Sequence, residues 1–292
     1  MSKIPFWFRS VGTFHKTKTL SNLMSSLIAV GLYVWCLLYV ENEILHIDFK
    51  PGSMIFSLLG LVLGLLLVFR TNTAYDRWWE GRRMLGNLVN NSRNLALKLN
   101  AYLDESDVEL KKFFAIMIGN YGIAMKEHLR HGVIYEQLDD IPQPYLDQMK
   151  KAKHVPNRIM SFVYNKVNQL YKEGKFTGDQ FIVLDKHIEA FTDVVGACER
   201  IKNTPIPVAY SIHLKKFIFF YIMILPFGLI HDLRYWSIPI MIMVFYAFTG
   251  LEVIGEEIED PFGKDVNDLP TDEISVKINI NIKEILVHPY DH

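Results

Sequence analysis

Residues 51–83 read PGSMIFSLLGLVLGLLLVFRTNTAYDRWWEGRR, a charge-free apolar run of nearly twenty residues that stops at Arg70 and becomes charged and aromatic without an intervening breaker. An apolar helix of about 20 residues spans a bilayer core of roughly 30 Å. Arg70, Arg77, Arg82 and Arg83, just after the run, mark its cytoplasmic side. The stretch is therefore expected to be a membrane helix that runs on into a soluble layer. Residues four apart share a helix face. That puts Leu61, Leu65 and Phe69 in one column, with Gly60, Gly64 and Val68 in the column beside it. Small residues let membrane helices approach closely, so the glycine column is expected to face a neighbouring helix. The bulky column can face lipid, a packed core or a lumen. Periodicity alone favours packing or lipid over a pore constriction.

Of 292 residues, half are hydrophobic, 13% are aromatic and 22% are charged, with a mean hydropathy of +0.13. That mixture implies a membrane part joined to a sizeable water-soluble part. A formal net charge of −1 and a pI near 6.8 give no electrostatic case for a nucleic-acid partner, which would need a clustered basic surface. The two cysteines, Cys36 and Cys198, are too few for a disulfide framework or a cysteine metal site and read as structural thiols.

Lys3, Arg9, Lys16 and Lys18 precede an uncharged stretch, 21–40, of spanning length, so the N-terminus is expected inside and the stretch is a retained first span rather than a signal peptide. Residues 41–52 form a short outer loop punctuated by Pro51 and Gly52. Beyond Ala74, Trp78, Leu85, Leu88, Leu95 and Leu99 recur at helical spacing as far as Asn100. Residues 104–135 repeat that pattern, Pro142, Pro144 and Pro156 break the chain over 136–157, and 157–202 return to helix around Gly174 and Gly178. Apolar runs at 217–230 and 237–255 supply a third and a fourth span, and the tail after them is acidic and turn-rich over 256–273. The expected organisation is an N-terminal segment and first hairpin over 1–70, a helical cytosolic region over 71–212, a second membrane hairpin over 213–255 and a cytosolic tail over 256–292. The fold class is an all-α membrane protein with both termini inside.

Few residues carry chemistry. His128 and His131, in EHLRH, sit three apart without the companion carboxylate that helical di-metal sites use, and read as surface histidines. Asp265, Asn267 and Asp268 are oxygen ligands suited to calcium, without the order of an EF-hand loop. No Gly-rich phosphate loop, nucleophile elbow or HExxH occurs, so no enzyme is expected.

RTNTAYDRWWEGRR at 70–83, CERIKNTPIPVAY at 198–210 and EDPFG with NDLP at 259–270 resemble the bestrophin family in its prokaryotic branch, with the motifs in family order from about residue 20 to 275. The resemblance implies a homopentameric ion channel, each subunit giving four membrane helices and a large helical cytosolic domain around a central axis. It places the family's apolar neck on Leu61, Leu65 and Phe69, the column already found by periodicity, with leucines where other members carry isoleucine or phenylalanine. Counted back from Cys198, the family's cytosolic aperture falls on Ile182, and Asn72 is a polar residue just inside the neck. Rings of apolar side chains gate ions by dewetting.

Asp265 and Asp268 match two carboxylates of the family's calcium clasp, but the run is thinner here, and prokaryotic relatives are regarded as calcium-independent, so no calcium cofactor is expected. The expected function is passage of monovalent ions across a bacterial inner membrane, with a lean to cations such as sodium or potassium. A chloride or anion channel of the same build, and a membrane-anchored scaffold or sensor, remain as alternatives.

Overall fold

The computed structural model describes residues 18–41 and 53–287. Lys3, Arg9, Lys16, Pro51 and Gly52, on which the cytoplasmic start and the outer loop rest, lie outside the described residues. Every regular element among the described residues is helical, as the all-α reading expects. In chain order these are α1 (Lys18–Tyr39), α2 (Ser53–Tyr102), α3 (Val108–Arg130), α4 (Gln143–Lys150) and α5 (Val155–Lys172). Then come α6 (Gly178–Asn203), α7 (Val208–Leu233), α8 (Ser237–Glu259) and α9 (Thr271–Leu286). A 3-10 turn, Arg234–Trp236, separates α7 from α8. By length and composition, Met54–Tyr102 and Val208–Glu259 are apolar enough to cross a membrane, and Leu23–Tyr39 is a shorter apolar stretch.

The chain divides into two compact units, residues 1–76 with 206–259, and residues 77–205 with 260–292. The boundary falls inside α2, whose burial pattern explains why one helix can serve both. Phe56, Leu63, Leu67, Arg70, Ala74, Leu85, Leu88, Ser92, Leu95 and Leu99 are all buried. They recur at steps of three, four or seven, except between Ala74 and Leu85, where buried Gly81 keeps the register. That spacing keeps one stripe of a helix turned to its partners.

In the first unit, α1, α7 and α8 pack with the start of α2 around Val34, Leu38, Leu63, Leu67, Leu214, Ile222 and Met241. Pro226 lies inside α7, where a proline removes a backbone donor and crowds the preceding turn. The Tyr33 hydroxyl donates to the Met223 carbonyl in that turn, at 2.7 Å, one way that neighbouring helices satisfy backbone groups around such a proline.

The same unit contains a fully buried charge. Arg70 is 2% exposed, and its Nη2 donates to Glu259 Oε2 at 2.6 Å. The other carboxylate oxygen, Oε1, accepts the Ile206 N–H at 2.6 Å. Arg70 Nε and Nη1 are buried without a hydrogen-bond partner among the described residues.

The second unit has its own core, in which Leu95, Leu99, Phe114, Tyr121, Ile159, Val163, Leu184, Phe191 and Ile282 are buried. The Tyr121 hydroxyl, inside it, donates to the Phe191 carbonyl at 2.7 Å. Thr177 and Gln180 form a reciprocal capping box that starts α6.

Three expectations are corrected. Gly60 approaches α7, where an added Cβ would meet Tyr221 Oη at 2.6 Å, but nothing lies within 4 Å of a Cβ at Gly64, and Val68 is 53% exposed. A step of four residues turns about 40° further than one full turn, so this column drifts from the edge of the buried stripe to the surface. Helix α3 is shorter than 104–135. Gly132, at φ +112°, ends it by donating its N–H to the Glu127 carbonyl at 2.9 Å. Within the proline-broken segment α4 forms, because Pro144 occupies its first turn, where the missing N–H is harmless. After the turns of 260–268, α9 buries Thr271, Ser275, Ile278, Ile282 and Leu286 and packs against α3.

Removing one partner of a buried ion pair leaves an uncompensated charge and costs about 3–5 kcal/mol. Glu259→Ala should therefore lower the thermal midpoint of the detergent-purified protein by several degrees. The double variant Arg70→Met/Glu259→Gln, which removes the charge and keeps an acceptor for the Ile206 N–H, should recover most of that loss. Equal midpoints for Glu259→Ala and wild type would contradict this reading of the pair.

Candidate functional site

Helix α2 presents the Leu61, Leu65 and Phe69 column opposite its buried stripe. At about 100° per residue, Leu63, Leu67, Arg70 and Ala74 face the unit's interior, and the column faces away from it. Leu61 is 62% exposed, Leu65 51% and Phe69 63%, so this chain does not bury the column in its own core. Asn72 continues the same side, exposed, and the first charge beyond it on that side is the exposed Asp76. The hydroxyls of Thr71 and Thr73 are turned back to the helix, donating to the Leu67 and Phe69 carbonyls at 2.9 Å each.

Ile182 lies in the second turn of α6, in the other unit. It is 67% exposed, while Leu184, Ile188, Phe191 and Val195 on the same helix are buried. Ile182 is thus a large aliphatic residue standing out from a helix whose other side is packed.

The segment after α8 is clasped inside the second unit. Phe262 and Leu269 are buried, and a Cβ at Gly81 would meet Leu269 Cδ1 at 3.1 Å and Phe262 Cζ at 3.2 Å, so any larger residue would push these side chains back by a few tenths of an ångström. Trp78 Nε1 donates to the Asn267 carbonyl at 2.9 Å. Arg130, at the end of α3, donates to the Phe262 and Gly263 carbonyls at 3.2 and 3.0 Å and to Asp272 Oδ2 at 2.7 Å. The Arg130 guanidinium holds the Asp272 carboxyl well below the usual carboxylate range. Arg77 donates to the carbonyls of Ile201 and Thr204. Cys198 is buried, and burial pushes its thiol up to about 12, which makes it an inert packing residue.

Asp265 and Asp268 are joined by the main chain. Asp268 Oδ2 accepts the Asp265 N–H at 2.6 Å, and Oδ1 is buried without a hydrogen-bond partner among the described residues. Burial pushes the Asp268 carboxyl up to about 6. Calcium takes six to eight oxygens, and one of the two oxygens on Asp268 is committed to holding the loop. The histidines of EHLRH do not converge: His131 caps the end of α3, and His128 turns to residues far away in sequence.

The family model described as the bacterial and fungal bestrophin protein matches residues 1–284. A protein of Nostoc sp. (strain PCC 7120), named voltage-dependent anion channel-forming protein alr2987, is 39% identical over 238 residues, covering 80% of this chain and 76% of its own. The Escherichia coli K12 protein named voltage-dependent anion channel-forming protein YneE is 30% identical, covering 96% of this chain and 91% of its own. A solved mutant structure of a bacterial bestrophin homologue from Klebsiella pneumoniae is 25% identical, with a TM-score of 0.85, over 91% of this chain and 99% of that one.

The Asp268 carboxyl carries a stability effect of defined sign. A carboxyl raised from its ordinary 3.8 to about 6 binds its proton more tightly folded than unfolded. Its contribution is present below about pH 4 and is lost as pH rises through about 6. Asp268→Asn keeps an acceptor for the Asp265 N–H and removes the titration. The midpoint of the variant should gain on wild type as pH rises across that window and level off above it, in thermal melts across a pH series. A difference that stays constant would contradict it.

Proposed function

The chain belongs to the bacterial and fungal bestrophin family, and from that membership we propose that it is the subunit of an ion channel, assembled as a homopentamer around a central pore. The reading is carried by the exposed apolar column of α2. Leu61, Leu65 and Phe69 would form three stacked rings in five copies, a neck that passes ions only when wetted. Ile182 would supply a second apolar ring, and Asn72 a polar collar beside the neck.

The surface of the first unit supports the membrane part. Met24, Ile28, Leu32, Phe219, Phe220 and Met243 are exposed there, and so much outward apolar surface needs lipid or other subunits to cover it. We read four membrane helices, the start of α2 with α1, α7 and α8, in a bacterial inner membrane, with both termini in the cytoplasm. The loop around Asp265 and Asp268 is read as a clasp rather than a calcium sensor, because Asp268 is turned into the loop.

The permeant ions are proposed to be monovalent cations. The neck itself carries no charge, but a ring of five Asp76 carboxylates beyond Asn72 is the kind of element that favours cations. Arg77, next in sequence, has its guanidinium engaged by the Ile201 and Thr204 carbonyls. The second reading, an anion channel of the same build, is favoured by the names of the relatives, which are called anion channel-forming.

The test is the reversal potential in planar bilayers under a potassium chloride gradient, for wild type, Leu65→Ala and Asp76→Asn. Wild type should reverse near the cation potential, Leu65→Ala should carry a several-fold larger current, and Asp76→Asn should move the reversal potential toward zero. Reversal near the anion potential would keep the channel and select the second reading. No current from an intact pentamer would replace both with a membrane-anchored scaffold. Cysteines introduced at 61, 65 and 69 should react with water-soluble reagents only if the column lines a lumen.

A further inference from the structure

In the second unit, three side chains far apart in sequence converge on one point. His128, in the last turn of α3, has its Nε2 2.6 Å from Glu199 Oε1 on α6. His154, which caps the start of α5, has its Nε2 3.0 Å from the same oxygen. The two imidazoles lie 4.4 Å apart between ring centroids, and the three groups offer ligand atoms all within 4.8 Å of one another. The side chains are 22%, 28% and 30% exposed for His128, His154 and Glu199, so an ion from solvent can reach them.

We propose that His128, His154 and Glu199 form a site for a divalent transition-metal ion of the zinc class. Two imidazole nitrogens and one carboxylate, with a fourth position open to water, are a donor set that suits zinc. Zinc bonds of about 2.0–2.2 Å put tetrahedral neighbours about 3.3 Å apart. From 2.6 and 3.0 Å, the His128 and His154 nitrogens therefore need to move about 0.7 and 0.3 Å further from Glu199 Oε1.

The protons follow from the hydrogen bonds. His154 Nδ1 accepts the Asn157 N–H at 3.2 Å, so a neutral ring carries its proton on Nε2, aimed at Glu199. A cation replaces that proton at Nε2, the proton moves to Nδ1, and the Asn157 bond is given up. It is longer than the hydrogen bonds that His154 and His128 make to Glu199. The bound ion would tie the last turn of α3 to α6 and to the start of α5. This site is independent of the α2 column and of any conduction through it.

The test uses full-length protein purified without a histidine tag and stripped with a chelator. Zinc is titrated by calorimetry and cobalt(II) by visible absorption. Wild type should bind one ion per chain, with the intense absorption of four-coordinate cobalt and a higher melting temperature in zinc. His128→Gln and Glu199→Gln should each weaken binding by roughly tenfold or more, since even residues outside a metal's ligand shell can matter that much. His131→Gln should leave it unchanged. Helical circular dichroism and unchanged elution establish that each variant is folded, and His154→Gln, at a helix end, replaces any that is not. No stoichiometric binding by wild type, binding unaltered in His128→Gln and Glu199→Gln, or binding lost in His131→Gln would each overturn the proposal.

Discussion

Helix α2 buries one stripe of residues, at steps of three, four or seven, from Phe56 to Leu99, and a helix with one side so committed has its opposite side decided as well. Leu63 and Leu67 are 0% and 1% exposed and lie in one packed cluster with Leu214, Ile222 and Met241. Rotating the helix to hide Leu61, Leu65 and Phe69 would expose those leucines and strip Arg70 of Glu259. The outward apolar column thus follows from packing on the far side. Its meaning depends on what it faces.

The motifs by which the chain resembles its family carry little chemistry of their own and a good deal of structure. In the second unit, Arg77 holds the carbonyls at the end of α6, and Gly81 makes room for Phe262 and Leu269 while Trp78 holds Asn267. In the first unit, Arg70, Glu259 and Ile206 close a polar cluster. The Arg70, Arg77, Trp78 and Gly81 contacts each join segments more than a hundred residues apart in sequence. The charged and aromatic residues after the apolar run are therefore ties between distant chain segments.

Much of the fold was legible because helical periodicity and apolar length are local properties. The apolar runs of α1, α2, α7 and α8, the long amphipathic continuation of α2 and the helices of 157–202 all follow from spacing alone. What lies between was less legible. The 136–157 segment hides α4, because a proline that breaks one helix can occupy the first turn of the next. The acidic tail hides α9, whose stripe of Thr271, Ser275, Ile278, Ile282 and Leu286 begins with two polar residues that only burial identifies as inward-facing.

The same division holds for the sites. The sequence by itself determined the all-helical class, the apolar runs and the Leu61, Leu65 and Phe69 column, since each depends on residues within a few turns of one another. Only the tertiary structure decided that Gly64 faces open space and that Arg70 is buried against Glu259. It also decided that His128 finds its partners in His154 and Glu199 rather than in His131. Those outcomes depend on which helices pack side by side, and no spacing along a single helix encodes the identity of its neighbour.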